Sequence, residues 1–310
     1  MHARPSATAH SVCVVGSVAL DTLETPRGHA SDVLGGSCTY FSIAASYFAP
    51  VNMVAVIGSD FPRHELDFLA SRGINLEGLE TVEGRTFRWS GRYHEDLNVR
   101  DTLDLQLNVF GSFQPKLPPA YRDSELMFLA NIQPSLQAGV LSQLRNVKFV
   151  GADTIDHWIN AERDALVSLL PFVHVLSIND AEAMLLSGER NVVTAARRIL
   201  EMGPGTLLVK RGEYGALQFA ADDVFAVPAY PLETVVDPTG AGDCFAGGMF
   251  GSLAESRAFD KKALRRAIVY GSVLASFCVE DFGPNRLRSL TREQIETRFR
   301  QFMALTDFHS

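Results

Sequence analysis

At 310 residues, with 46% hydrophobic and 21% charged residues, the chain has an ordinary globular balance and room for one large α/β domain or two smaller ones. A formal charge of −8 offers no basic face to a nucleic-acid backbone. No apolar run approaches the roughly 20 residues of a membrane span. The four cysteines are scattered without Cys-x-x-Cys spacing, which reads as reduced core thiols and a cytoplasmic compartment.

In chain order, residues 1–11 are expected to be disordered, and a first strand runs over Val12–Val18 into Leu20-Asp21-Thr22 and a polar stretch from Pro26 to Asp32. Gly35-Gly36 opens a small-residue helix from Ser37 to Phe48. A strand (Met53–Ile57), a helix (Arg63–Ser71) and an extended segment near Leu79–Val82 follow. Between Arg85 and Phe113 the pattern changes. Phe87, Trp89, Gly91 and Tyr93 alternate with Arg88, Ser90 and Arg92, and Leu103, Leu105 and Leu107 with Asp104, Gln106 and Asn108. Period-2 alternation predicts half-exposed antiparallel strands, a small sheet standing off the main body. From Leu126 on, short continuous apolar runs (Leu126–Ala130, Lys148–Ala152, His174–Ile178, Thr206–Lys210) alternate with helical stretches, as parallel strands covered on both faces do. A hairpin-like return at Gly212–Gly215 precedes the last two helices, predicted over Asp260–Val279 and Thr291–Met303.

Several chemistries are excluded. The chain has no Gly-x-x-x-x-Gly-Lys-Ser/Thr, no Gly-x-Gly-x-x-Gly after its first strand, and no zinc spacing among its eight histidines. Attention falls instead on Asp237-Pro238-Thr239-Gly240-Ala241-Gly242-Asp243, a glycine turn that opens a helix with Phe245, Ala246, Met249, Phe250 and Leu253 on one face. The N–H groups of Gly240, Ala241 and Gly242 should be unpaired and form an anion site at the positive end of the helix dipole. Asp243 beside them reads either as a cap of the first turn or as a general base facing a bound phosphate. Four further places share such double readings: Asp21, a turn residue or a ligand contact after the first strand; Gly35-Gly36, a tight turn or a ligand approach; Asn179-x-x-Glu182, a cap or a Mg²⁺ site; Lys210-x-Gly212-x-x-Gly215, a hairpin turn or a ligand loop.

The heptapeptide Asp237–Asp243, with Phe245 and Gly247 behind it, resembles the second signature of the PfkB (ribokinase-like) family of sugar and nucleoside kinases. Gly16-Ser17 through Asp21, Gly35-Gly36, Val56-Ile57-Gly58-x-Asp60, Asn179-x-x-Glu182 and Lys210-x-Gly212-x-x-Gly215 match in the family's order, so the resemblance covers nearly the whole chain. It implies a three-layer α/β/α sandwich over residues 12–310 with a central, mainly parallel sheet. A small β-sheet lid would form from about 22–31 and 85–113. It implies Asp243 as base and Gly240, Ala241 and Gly242 as the hole for the transferring phosphoryl group. ATP would lie along Asn179, Lys210, Gly212, Gly215 and Thr239, with Gly271, Ser272 and Ala275 forming a shallow strip for the adenine; that strip reads equally well as helix packing. Mg²⁺ would be held through Asn179 and Glu182. Asp237 and the Thr239 carbonyl match a position where many relatives bind K⁺.

Two positions depart from the family's ribose-binding pattern: Ala19 and Tyr40 stand where asparagines are common. Losing two amides changes which hydroxyls are read. Asp21, Gly35, Gly36, Tyr40, Trp89, Asn131 and Gln133 are the candidate acceptor contacts. The resemblance thus implies a kinase of a small sugar or polyol, with a nucleoside as the alternative acceptor, or else a catalytically weak binding protein. Exposed apolar lid edges such as Trp89 suggest a homodimer through the lid.

Overall fold

The computed structural model describes residues 11–307. Two sheets account for its strands. The large one has the order β13-β12-β11-β10-β9-β8-β1-β4-β5. Its members are β1 (Val12–Val15), β4 (Val51–Gly58), β5 (Ile74–Val82), β8 (Leu126–Leu129), β9 (Phe149–Ala152), β10 (Val175–Asn179), β11 (Thr206–Lys210), β12 (Ala216–Ala220) and β13 (Asp223–Val227). Pairing is parallel from β5 across to β11 and antiparallel through β12 and β13.

Alternation along the strands explains the layers. Val12 and Val14 enter one core, under the helices Ser37–Ala45, Ala241–Ser256 and Lys261–Cys278, while Cys13 and Val15 enter the other. Both faces are covered, so the strands carry apolar residues continuously. Strand order reverses between β1 and β8, the kind of switch point at which ligands of open α/β sheets bind.

The small sheet has the order β3-β2-β6-β7, from β2 (Ala19–Thr25), β3 (Gly28–Gly35), β6 (Phe87–Tyr93) and β7 (Arg100–Gln106). It starts earlier and ends sooner than the pattern suggests. The polar stretch after Pro26 is a strand, and residues beyond Gln106 turn back onto the body, where Val109 and Phe113 are buried. The sheet is also mixed, since β2 and β6 pair in parallel. Alternation reports a half-covered face but carries no strand direction. Of the segment 1–11, Ser11 is described and buried, accepting a hydrogen bond from Asn52 Nδ2 at 2.8 Å; residues 1–10 lie outside the described residues.

Candidate active site

Asp21 lies inside β2 rather than after the first strand, and only 4% of it is exposed. Gly35 makes room for it, because a Cβ there would fall inside the Asp21 carboxylate. Gly36, at φ 94°, starts the helix Ser37–Ala45, and a side chain on it would strike the Ser17 carbonyl. The glycine pair therefore seats Asp21 and the start of the helix Ser37–Ala45. Burial pushes the Asp21 carboxyl up to about 8, with the charges of Asp237 and Asp243 adding to the effect.

The glycine turn is fixed from several sides. Asp237 accepts the Thr239 N–H at 2.9 Å and the Gly283 N–H at 3.0 Å, one on each carboxylate oxygen. The Thr239 carbonyl accepts the Cys278 thiol. The two oxygens implied for K⁺ thus shape the turn itself. Gly240 takes a left-handed conformation (φ 74°), and a Cβ on it would overlap the Tyr40 ring. Tyr40 is accordingly a buried floor beneath the turn, 1% exposed, with an unpartnered hydroxyl. A candidate acceptor contact on sequence, Tyr40 packs its ring beneath Gly240. One expected anion donor is also spent: Ala241 N–H donates to the Pro238 carbonyl at 3.2 Å. The N–H groups of Gly240 and Gly242 have no acceptor among the described residues. The Lys210 ammonium joins them, 2.8 Å from where a Cβ on Gly242 would stand.

Asp243 sits in the first turn of the helix Ala241–Ser256. Burial raises its carboxyl to about 6, against the pull of Lys210 and Arg100. Asn179 and Glu182 form a full capping box: Asn179 Oδ1 accepts the Glu182 N–H at 2.7 Å and Glu182 Oε2 accepts the Asn179 N–H at 2.8 Å. The cap uses one Glu182 oxygen and leaves Oε1 to another partner, and burial raises this carboxyl too. No cluster of three or more His, Cys, Asp or Glu among the described residues could hold a metal by itself. A Mg²⁺ ion here would arrive with phosphate ligands, as that ion commonly does.

The small sheet closes over this region. In register, Asp21 faces Trp89 on the neighbouring strand. The indole lies over Gly91 and donates from Nε1 to Thr102 Oγ1 at 3.3 Å. Tyr93 meets the glycine turn directly, accepting from Thr239 Oγ1 at 3.0 Å. At the hairpin tip Asn98 donates to Glu213 at 3.0 Å and packs on Gly212. Arg100 stands over the Trp89 ring at 5.6 Å, and its charge is felt by Asp243 and Glu182. Tyr93 is an expected aromatic lid contact; Arg100 and Asp153 were not among the expected site residues. Tyr93 shares its alternating face with Trp89, a signal that was present; Arg100 and Asp153 carry none in isolation.

The remaining candidates divide. Gly215 is packed against the Val227–Pro228 backbone, and a Cβ added at Gly271 would stand 2.7 Å from the Phe245 carbonyl. Both positions are closely packed, Gly271 against the backbone of the neighbouring helix. Ser272 is buried with an unpartnered hydroxyl, and Ala275 is half-buried. Asn131 accepts from Trp158 Nε1 at 2.9 Å, and Gln133 caps the helix Pro134–Leu141 without using its side chain.

The architecture is that of the ribokinase-like kinases. It superposes on a Burkholderia thailandensis nucleoside kinase solved with inosine at a TM-score of 0.77, with 20% identity over 94% of this chain and 99% of that one. An E. coli structure named as a ribokinase II, holding ATP and Mg²⁺, gives 0.76 with 22% identity and the same coverage. The chain belongs to the pfkB family of carbohydrate kinases, whose model matches residues 10–290. The cytidine kinase of Thermococcus kodakarensis is 31% identical over 255 residues, covering 80% of this chain and 90% of the relative. The chain is therefore a phosphotransferase of the carbohydrate and nucleoside kinase group, a family whose members use ATP with Mg²⁺.

Proposed function

We propose that the chain is a nucleoside kinase that transfers the γ-phosphoryl group of ATP to a ribose hydroxyl. The observation that carries this reading is the direct pairing of Asp21 with Trp89 on the inner face of the lid. It sets one hydroxyl-reading carboxylate beside one aromatic face, while Ala19 and Tyr40, where amides would read further hydroxyls, are fully buried. An acceptor with a flat base and few hydroxyls to recognise fits that site better than a polyol does. The likeness to a cytidine kinase supports the same choice. A free sugar or polyol, placed first on sequence alone, becomes the second reading.

In this mechanism Asp243 takes the proton from the acceptor hydroxyl as its oxygen bonds to the γ-phosphorus and the bond to ADP breaks. Gly240 and Gly242 N–H groups and Lys210 hold the charge spread over the transferring oxygens, which is where most catalysis of this reaction resides. Lys210 and Gly212 line the nucleotide, with Ser272 and Ala275 near its base. Glu182 and Asn179 would hold the waters of a Mg²⁺ ion bound with the nucleotide, and the ion would supply neutralisation of phosphate charge. Asp21 orients the acceptor. A panel of nucleosides, pentoses, hexoses and inositols, each assayed for ADP release, tests this. Turnover should be highest on a nucleoside; efficient turnover of sugars with none on nucleosides would overturn the assignment.

A further inference from the structure

Most polar groups around the lid's inner face are already engaged within the protein. Trp89 Nε1 donates to Thr102 Oγ1 at 3.3 Å, and Asn131 Oδ1 accepts from Trp158 at 2.9 Å. Ser17 and Ser37 hydrogen-bond each other through side chain and backbone. Ala19 is wholly buried and offers only a methyl group, and the Tyr40 ring is fixed beneath Gly240. Asp21 is left to read the ring hydroxyls of an acceptor. Its carboxylate lies along Gly35 and takes the Gly36 N–H.

Strict selection for a hydroxyl arises where its absence strands a buried polar group without a partner. A single carboxyl reading two neighbouring hydroxyls is not stranded when one of them is missing. It keeps the other, and the Gly36 N–H as well. Burial also pushes this carboxyl up to about 8, so at neutral pH it can carry its own proton instead of standing as a bare charge. Resting on the nucleoside reading, we propose that the chain also phosphorylates 2′-deoxynucleosides, with Asp21 holding the 3′-hydroxyl alone. The 5′-hydroxyl oxygen bonds to the γ-phosphorus, the bond from that phosphorus to ADP breaks, and the hydroxyl proton passes to Asp243 and on to solvent. The products are ADP and a deoxynucleoside 5′-monophosphate.

The test compares kcat/KM for the ribo-, 2′-deoxyribo- and 2′,3′-dideoxyribonucleoside of one base, with the product identified by its mass. The deoxynucleoside should lie within about 100-fold of the ribonucleoside, the range of one or two lost hydrogen bonds. A wider gap would overturn the proposal, because it would reveal a second strict reader of the 2′-hydroxyl. The dideoxynucleoside leaves Asp21 nothing to hold and should fall about 10-fold or more below the deoxynucleoside. A smaller fall would also overturn the proposal, since Asp21 would then not be reading the sugar. In Asp21→Ala, the three acceptors should agree within about 10-fold while AMP-PNP still binds; a wider spread would contradict the role given to Asp21. Turnover of the ribonucleoside with rejection of the deoxynucleoside would sink this inference alone. Turnover of free sugars with none of any nucleoside would overturn the nucleoside reading and this inference together.

Discussion

Asp243 owes its proposed role to surroundings that hold its carboxyl near 6, high enough to accept a proton yet ionised at neutral pH. Asp243→Asn keeps the shape and removes the base; kcat should fall roughly 10²- to 10⁴-fold while ATP binding, measured by calorimetry, stays intact. Tyr40 makes the opposite case. Its hydroxyl is buried without a partner, so Tyr40→Phe removes an unsatisfied group and keeps the ring under Gly240. Activity should stay within about three-fold and the melting temperature should hold or rise. A large rise in acceptor KM would restore Tyr40 as a substrate contact. Sequence placed both residues in the site, Asp243 as base and Tyr40 as an acceptor contact, but could not show Tyr40 buried, because burial depends on what packs below the turn, and that comes from a helix two hundred residues earlier.

At the scale of elements, Gly35 shows why the lid cannot be read as a simple cover. A methyl group there would displace the Asp21 carboxylate from its seat. Gly35→Ala should lower acceptor kcat/KM by roughly 10²-fold with ATP affinity unchanged, since misplacement by about an ångström is enough for that loss. Equal kinetics in the variant would mean that Asp21 does not contact the acceptor. The inner lid face was legible as the row Phe87, Trp89, Gly91, Tyr93; its parallel pairing with β2 was not, since β2 is brought in from the start of the chain. The capping box at Asn179 and Glu182 was legible in both its readings, and the structure satisfies the cap while leaving one oxygen over. The small-residue strip of the helix Lys261–Cys278 was ambiguous for a physical reason. Glycine and serine serve helix packing and ligand approach alike, and Gly271 is used for packing.

For the whole molecule, three carboxylates that burial raises, Asp21, Asp237 and Asp243, tie stability to pH. Asp21 rises from 3.8 to about 8 on folding, so the native state binds this proton more tightly than the unfolded chain. Its stabilising share is complete below 3.8 and is lost as pH rises through about 8. Asp21→Asn should therefore raise the melting temperature by several degrees at pH 8 and leave it unchanged at pH 4, with the larger gain at the higher pH. The lid bears on assembly as well. Trp89 is half-buried, and the exposed apolar side chains are Val99, Leu103, Leu105 and Leu107, along and beside the edge strand β7. Pairing of two lids through that edge predicts a dimer in light scattering at micromolar concentration, and Leu105→Lys should convert it to a monomer. A monomeric wild-type protein would contradict this. Among the described residues no helix is long and apolar enough to cross a membrane.

The central claim is that Asp243 is the base at the point where ATP and a nucleoside hydroxyl meet. Its most direct test is the pH dependence of kcat/KM for the best nucleoside acceptor, compared between wild-type protein and Asp243→Asn. The wild-type profile should rise with pH through about 6, where Asp243 gives up its proton, and the variant should be slow with that limb gone. A variant that turns over at near wild-type rate, with the limb still in place, would contradict the account.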